Sequence, residues 1–282
     1  MKTIVAALQM VSTFDVDANL KCAEQLLRQA ADAGAQFAAL PENFAVLDSD
    51  NLCRWGDEET RTGVFTKFLS EQARKCNLWI LGGTLPKRTL ADGKAVPGWR
   101  VRAASILVNS QGETVARYDK IHLFDVQVSD AQGQYRESAT IEPGDVPVLA
   151  TTPFGRLGMT VCYDLRFPEL FSQLQRQGAD FFTVPSAFTW RTGEAHWEIL
   201  LRARAIETQS YIIAPGQGGV HSSKRTTWGH SMIIDPWGMV LADKMEAGPG
   251  VVLAEMDSDL LQSVRNSMPI AQHKRFEVVP KS

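Results

Sequence analysis

A single cysteine, Cys162, stands where a nucleophile could be held. The apolar run Leu157–Cys162 predicts a strand, and Pro168 marks the first turn of a helix shortly after it. A strand-to-helix turn exposes a side chain and points the N–H groups of the helix start towards it. That position suits a thiol nucleophile and an oxyanion, although a free cysteine is more commonly a buried packing residue. Position alone leaves both readings open.

The other three cysteines are interpreted as structural. Cys22, Cys53 and Cys76 fall on or near predicted helices, and the four cysteines include no C-x-x-C spacing. We therefore expect free thiols in a reducing compartment. The chain also lacks His and Cys clusters with metal-ligand spacing, so the sequence predicts neither a metal nor an organic cofactor.

Three charged residues follow predicted strands or lie in a loop. Glu42 comes after Leu40-Pro41, at the carboxyl end of a strand, where the active-site groups of α/β sheets gather. Lys120 ends a hairpin strand, and Glu137 lies in the long segment that follows. A carboxylate and an ammonium are suitable partners for a thiol nucleophile. Each of the three, taken alone, is more often a solvated surface charge.

A cysteine–histidine pair is the alternative chemistry. His122, His196 and His230 are the candidates. His196 lies in a helical pattern, where packing or capping is the more common role, and His230 precedes a strand. The residue types alone leave this alternative open.

Alternating strands and helices must position these residues. In each half of the chain, two β-α units lead into a strand and a hairpin, which predicts two similar sheets, each with helices on one face, packed together in one α/β domain over residues 1–282. The long segment Ile121–Val146 has no clear period, and such loops are usually functional. The first half is predicted as strands Thr3–Met10, Phe37–Pro41 and Trp79–Leu85, helices Asp17–Ala33 and Thr60–Cys76, and a hairpin of Ala103–Asn109 with Thr114–Tyr118. The second half is predicted as strands Leu157–Cys162, Phe181–Val184 and Tyr211–Ala214, helices Pro168–Gln177 and His196–Thr208, and a hairpin of Met232–Ile234 with Val240–Ala242.

The bulk composition is that of an ordinary globular protein. Of 282 residues, 44% are hydrophobic, and the net charge is only -3 without long basic runs, which argues against binding to nucleic acid or to a membrane surface. The short N-terminal apolar run is followed by Gln9 and Asp15, which favours a strand over a signal peptide. No segment reaches the roughly 18 apolar residues of a membrane-spanning helix. We expect a cytoplasmic protein.

Taken together, these segments resemble the nitrilase, or carbon–nitrogen hydrolase, superfamily. The resemblance rests on LPEN around Glu42, YDKIHLFD around Lys120, ES-x-x-x-x-PG from Glu137 and VCYDLRFPEL around Cys162. It continues through PSAFTWRTGEAHWEILLRARAIETQ and GHSMIIDPWG, and covers about residues 4–276. Four motifs in this order are highly specific, whereas a lone PEN would mean nothing.

The resemblance implies a fold and a set of roles. The fold is an α-β-β-α sandwich of two pseudo-repeated halves. Two such sandwiches often pair into an α-β-β-α-α-β-β-α assembly, so a homodimer or larger homo-oligomer is expected. Cys162 resembles the nucleophile, and Glu42 resembles the general base. Lys120 resembles the cation that stabilises the tetrahedral intermediate, together with the Tyr163 backbone N–H. Glu137 resembles a second acid that orients Lys120 or the base.

The resemblance also suggests a small amide substrate. Within the superfamily the chain is most similar to the branch that hydrolyses deaminated glutathione to 2-oxoglutarate and cysteinylglycine. The alternatives are an omega-amidase acting on 2-oxoglutaramate, another amidase or nitrilase branch, and a non-catalytic thiol-bearing scaffold. Substrate contacts are expected from Phe188, Thr189 and Arg191, where Arg191 would bind a carboxylate unless it is a solvated surface residue. Lys224 and Arg225 could serve the cysteinylglycine end or lie in a solvated loop, and Arg166 could contact substrate or pair with Asp164 or Glu169.

Overall fold

Two six-stranded sheets packed face to face form the centre of the molecule. The structure is a computed structural model and describes residues 1–129 and 133–277. Its first sheet has the strand order β16-β1-β2-β3-β4-β5 and its second β15-β14-β11-β10-β9-β8. The strands are β1 (Lys2–Gln9), β2 (Phe37–Leu40), β3 (Trp79–Lys87), β4 (Arg102–Val108), β5 (Thr114–Asp119), β6 (Asp125–Gln127), β7 (Gln134–Arg136), β8 (Val148–Thr152), β9 (Gly155–Met159), β10 (Phe181–Thr183), β11 (Tyr211–Ala214), β12 (Gly218–Val220), β13 (Thr226–Trp228), β14 (Met232–Ile234), β15 (Val240–Asp243) and β16 (Gly250–Asp257).

Helices cover the outer face of each sheet. Asp15 caps the first of them by accepting the Ala18 N–H, and Pro168 begins the fourth, where its missing N–H is tolerated. The helices are α1 (Val16–Asp32), α2 (Leu52–Thr62), α3 (Val64–Cys76), α4 (Pro168–Arg176), α5 (Trp190–Thr208), α6 (Ser258–Ser267) and α7 (Ile270–His273). Within the described ranges, no helix is both long and apolar enough to cross a membrane.

Two buried clusters explain the order of the layers. One joins apolar residues of the first sheet, including Leu8, Leu40 and Ile80, to helices α1 and α3. The other runs from the opposite face of that sheet, through Phe37 and Leu107, into the second sheet and on to α4 and α5. Strands β1, β2 and β3 are parallel, as are β9, β10 and β11. Alternating side chains of β1, β2 and β3 contribute to both clusters, whereas the side chains of β9, β10 and β11 belong to the second cluster alone. This arrangement gives the predicted α-β-β-α sandwich of two similar halves.

The helix prediction over Thr60–Cys76 was wrong at its start. The structure has two helices there, α2 and α3, separated at Gly63, which adopts the left-handed φ of 67°. Glycine tolerates this conformation, so the chain turns there. The buried Glu59 carboxylate accepts the Phe65 N–H at 2.7 Å and thereby caps α3. The prediction for α5 also began too late, since the helix starts at Trp190 and not at His196.

Other differences concern strands. Strand β9 ends at Met159, before Cys162, because the chain turns into a 3₁₀ helix over Cys162–Arg166. Strand β16 and helix α6 follow the second hairpin and had not been predicted. The segment Ile121–Val146 contains the hairpin of β6 and β7 and a 3₁₀ turn over Glu137–Ala139. Residues 130–132 of that segment, and residues 278–282 of the predicted domain, lie outside the described residues.

Candidate active site

Cys162 opens a sharp turn at the carboxyl edge of the second sheet. Its φ is 47°, a left-handed conformation that residues other than glycine rarely adopt. The Cys162 N–H donates to the Pro185 carbonyl at 3.0 Å, which holds the turn against the loop after β10. As the second residue of the turn, Tyr163 has an N–H without an acceptor inside it. The turn therefore begins with the thiol and leaves the Tyr163 N–H without an acceptor within the turn.

Two buried polar side chains hold this turn in place. The Arg204 guanidinium, from α5, donates twice to the Leu165 carbonyl, at 3.0 and 2.8 Å. The Asp164 carboxylate is fully buried and accepts the Val161 N–H at 2.8 Å. It also accepts the Tyr118 hydroxyl at 2.7 Å and contacts the His122 Nδ1 at 2.7 Å. The turn that carries Cys162 is thus tied to the strand that leads to Lys120.

Glu42 lies just beyond β2, where a close backbone contact fixes it. A Cβ built on Gly83 of β3 would lie 1.8 Å from the Pro41 carbonyl oxygen, so only glycine permits this approach. The Glu42 carbonyl accepts from the buried Gln217 side-chain amide at 3.0 Å. The carboxylate, only 4% exposed, is held in the interior.

Lys120 is buried, not solvated, and lies between two carboxylates. Its Nζ is 2.8 Å from Glu42 Oε1, and 2.7 and 2.8 Å from the two Glu137 oxygens. Glu137 Oε2 also accepts the Phe124 N–H at 2.7 Å, which fixes that carboxylate. The Gly144 N–H donates to the Lys120 carbonyl at 2.8 Å, where a side chain on Gly144 would strike Asp119. Buried charges need such partners.

The pKa shifts follow from burial and from these charges. Burial and the neighbouring Glu42 raise the pKa of the Cys162 thiol well above its usual value, against opposing effects of Lys120 and of the Ala187 N–H. Burial alone would lower the pKa of Lys120, but the charges of Glu137, Glu42 and Cys162 raise it well above its usual value. Cys162 is therefore a neutral thiol, and Lys120 an ammonium, at neutral pH. Such a thiol can act as a nucleophile only if a base accepts its proton.

A cavity of about 940 Å³ opens onto these groups, a size within the range of small-molecule sites. Glu42, Lys120, Glu137, Cys162 and Tyr163 all line it. The structure thus brings together the residues that the sequence picked out from four separate motifs.

Only two of the three expected substrate-binding residues line the cavity. Phe188 and Thr189 line the cavity, and Thr189 also caps α5. Arg191 does not belong to the cavity lining. It lies in the first turn of α5 and not in a loop, is exposed, and donates to the Ser129 carbonyl at 3.4 Å.

Several cations line the cavity instead. Arg166 is one of them, and its guanidinium lies over the Phe188 ring and contacts His196 Nδ1 at 3.3 Å. Of the alternatives left open for Arg166, pairing with Asp164 is not what the structure shows, because the Asp164 oxygens accept from Tyr118, His122 and Val161. Lys224 and Arg225 also line the cavity.

The histidines proposed as partners of Cys162 have other contacts. His122 stacks on Phe167 at 3.7 Å and contacts Asp164. His230 lies 3.0 Å from an Asp243 carboxylate oxygen. The thiol of Cys162 is instead surrounded by the charges of Glu42, Lys120 and Glu137. In residues 1–129 and 133–277, no group of three or more His, Cys, Asp or Glu residues could hold a metal ion.

Two features of the site had escaped the sequence analysis. One is the positioning role of Asp164, which the sequence suggested only as a possible partner of Arg166. Its place in an apolar stretch two residues after Cys162 was a signal of this role, because a buried carboxylate must be hydrogen-bonded. The other is the Ala187 N–H, which donates to the Cys162 thiol and thereby lowers its pKa. The role of a backbone N–H cannot be identified from residue types, because every residue except proline has one.

Comparison with known proteins gives a consistent result. The model of the carbon–nitrogen hydrolase family matches residues 4–266. A Synechocystis protein named deaminated glutathione amidase is 45% identical, with 97% of this chain and 98% of that protein covered, and the human protein of that name is 42% identical, with 96% and 82% covered. Among solved structures, yeast Nit3, a nitrilase superfamily member, has a TM-score of 0.85 at 29% identity and covers 98% of this chain and 97% of its own.

Proposed function

The chain belongs to the carbon–nitrogen hydrolase family, and on that premise we propose that it hydrolyses the amide of deaminated glutathione to 2-oxoglutarate and cysteinylglycine. As a family member it is a hydrolase of carbon–nitrogen bonds other than peptide bonds. Its relatives over nearly the full chain carry the name deaminated glutathione amidase. The observation that carries the proposal is one cavity, of suitable size, lined by Cys162, Glu42, Lys120 and several cations.

The proposed reaction begins at Cys162. Its sulfur attacks the amide carbon while the Glu42 carboxylate takes the thiol proton. Negative charge then builds on the former carbonyl oxygen, and the Lys120 ammonium and the Tyr163 N–H stabilise it. One such donor is typically worth about 2.7–4 kcal/mol in the transition state. A neutral thiol suits this scheme, because the proton leaves only as the bond forms.

The second half of the reaction releases the acid. The C–N bond breaks, and the departing amine of cysteinylglycine takes the proton from Glu42. This leaves 2-oxoglutarate bound to Cys162 as a thioester. Glu42 next removes a proton from water, which attacks the thioester carbon, and the thiol leaves with its proton restored. Glu137 acts by holding Lys120 through two hydrogen bonds.

A substrate panel tests this proposal. Deaminated glutathione, 2-oxoglutaramate, carbamoylputrescine and a simple nitrile are supplied at equal concentration, and acid and amine release is measured by mass spectrometry. We expect the highest kcat/KM with deaminated glutathione and none in a Cys162→Ala control. A higher kcat/KM with 2-oxoglutaramate would instead identify an omega-amidase. Equal product formation by the Cys162→Ala control would mean that the thiol is not the nucleophile.

We also propose a role in metabolite repair within the cytoplasm. All four cysteines are free thiols, which fits a reducing compartment. Fractionation should recover the protein with a cytoplasmic marker. Recovery with an exported marker would contradict the proposal. No metal or cofactor is expected to be required, so dialysis against a strong chelator should leave turnover unchanged.

A homodimer is proposed through the outer face of α5. Ile199 and Ile206 lie two turns apart on that helix, 70% and 46% exposed, and the neighbouring Trp237 and Met239 are also exposed. Gly238, between Trp237 and Met239, lies against Ile206, and exposed apolar residues that cluster in this way mark an interaction surface. Light scattering should give a dimer mass for the wild type and a monomer mass for Ile199→Asp. The control Phe276→Asp, at an exposed residue outside α5, should stay dimeric; a monomeric wild type would refute the assignment.

A further inference from the structure

The Arg225 side chain lines the cavity. Its Nε is buried and has no hydrogen-bond partner in the described part of the chain. The guanidinium lies over the Tyr135 ring, 5.8 Å from its centre. Arg204 shows the contrast, since its guanidinium is satisfied by the Leu165 carbonyl and by Glu207. Buried donors are almost always paired, so the missing acceptor at Arg225 calls for a ligand.

The backbone around Arg225 is fixed, so the side chain is presented from a firm base. It lies in the turn between β12 and β13, where the His221 N–H donates to the Arg225 carbonyl at 2.9 Å. Both ring nitrogens of His221 are engaged, with the Ser12 carbonyl at 2.7 Å and the Thr227 hydroxyl at 2.6 Å. Burial, with a smaller effect of Arg225, lowers the pKa of His221 to about 4. His221 is thus neutral and adds no second positive charge beside Arg225.

The other cavity cations differ in their surroundings. Arg54, Arg136 and Lys224 are exposed to water. Arg166 already contacts His196 and stacks on Phe188. The carboxylates of Glu42 and Glu137 are bound to Lys120. A charge-assisted hydrogen bond is stronger where water is excluded, so a ligand carboxylate gains most at Arg225.

We propose that Arg225 binds a carboxylate of the amide substrate while Cys162 attacks the amide carbon, and so makes the enzyme selective for anionic amides. This inference rests on the proposed function and adds a binding residue to it. The carboxylate can belong to the acyl part, shared by deaminated glutathione and 2-oxoglutaramate, or to the glycine end, present only in deaminated glutathione. Arg225 is well suited to either, because its planar fork matches a carboxylate.

Kinetics of three variants test the inference. Arg225→Ala should lower kcat/KM for deaminated glutathione about thirty-fold or more, mainly through KM. Arg28→Ala, at an exposed arginine of α1 outside the cavity lining, should change it by no more than about two-fold. Arg225→Gln should keep or raise the Tm, because it removes a guanidinium whose buried Nε has no partner among the described residues. A marked fall in Tm with unchanged KM would instead make Arg225 a structural residue and overturn the inference.

A binding experiment separates this inference from the proposed function. Calorimetry on Cys162→Ala, with and without Arg225→Ala, measures the affinity for deaminated glutathione and for 2-oxoglutaramate. Weaker binding of both assigns the acyl carboxylate to Arg225, and weaker binding of deaminated glutathione alone assigns the glycine end. Unchanged affinities, or no binding to Cys162→Ala, overturn the inference. Arg225-dependent binding by a protein whose wild type hydrolyses neither compound leaves the inference standing and refutes the proposed function.

Discussion

The buried Asp164 carboxylate accepts the hydroxyl hydrogen of Tyr118 at 2.7 Å, across the interface of the two sheets. Tyr118 belongs to β5, which leads to Lys120, and Asp164 belongs to the turn that begins with Cys162. The same carboxylate accepts the His122 N–H at 3.1 Å. The Asp164 side chain therefore fixes the position of the segment that carries Lys120 relative to the segment that carries Cys162.

Asp164→Asn should lower kcat more than it raises KM. The asparagine amide has the shape of the carboxylate, but an NH₂ donor replaces one acceptor oxygen. This donor faces other donors, so at least one buried group loses its partner. The loss should cost about 1–3 kcal/mol of folding stability. Steady-state kinetics and thermal unfolding measure both effects. Tyr118→Phe, which removes a single bond, is the control and should be milder. Wild-type kcat in Asp164→Asn would show that the carboxylate does not position the site.

Substitution of Cys162, Glu42 or Lys120, the proposed catalytic triad, should in each case impair turnover. Cys162→Ala should abolish turnover while the fold is kept, and Glu42→Gln should nearly do so because an amide cannot accept the thiol proton. Lys120→Arg should also fail, since a planar fork does not fit between Glu42 and Glu137 as a compact ammonium does. Circular dichroism checks the fold, and trapping of the thioester checks the step lost. Wild-type rates in any of the three would refute the mechanism.

The pH dependence of kcat/KM should be flat from about pH 7 to 9. The pKa values of Cys162 and Lys120 are both raised well above their usual values, so neither group changes charge over this range. Burial raises the pKa of Glu137 against the opposing effect of Lys120. That carboxyl therefore gains its proton at a higher pH than an ordinary glutamate, whose pKa is about 4.3. A pH–rate profile should place the acid limb above that value; a rate that rises from pH 7 to 9 would indicate attack by a preformed thiolate.

His221 should make the fold less stable in acid. Its pKa is about 4 in the folded chain and 6.5 as the ordinary value, so the unfolded chain binds more protons between these two values. Its contribution to stability is complete above about pH 6.5 and is lost as the pH falls through about 4. Denaturant unfolding of wild type and His221→Gln should show a smaller slope with pH in the variant. The exposed His273→Gln serves as control, and equal slopes in all three would exclude His221.

Much of the fold could be predicted from pattern. The period of the apolar residues located β1, β2, α1 and both hairpins, because burial on one face imposes it. Strand β16 was missed because it pairs with β1, which lies at the other end of the chain. The sequence alone does not reveal such a long-range pairing. The break between α2 and α3 depends on the left-handed Gly63 and on the buried Glu59, a tertiary effect.

The candidate site was predictable in its residues but not in its geometry. Motifs singled out Glu42, Lys120, Glu137 and Cys162, and all four line one cavity. Arg191 was chosen for its nearness to a strand end, but the early start of α5 turns it to the surface. Whether a surface cation faces a cavity depends on the phase of its helix, which a boundary error of a few residues changes.

Glu42 and Lys120 follow strands of the first sheet, whereas Cys162 follows a strand of the second. Neither half of the pseudo-repeat holds the complete set of proposed reacting groups. Turnover can therefore report on the docking of the two sheets during refolding: each half can regain its secondary structure before any amide is cleaved. An enzyme of this design builds one site from both halves of its chain, so neither half alone is expected to hydrolyse an amide.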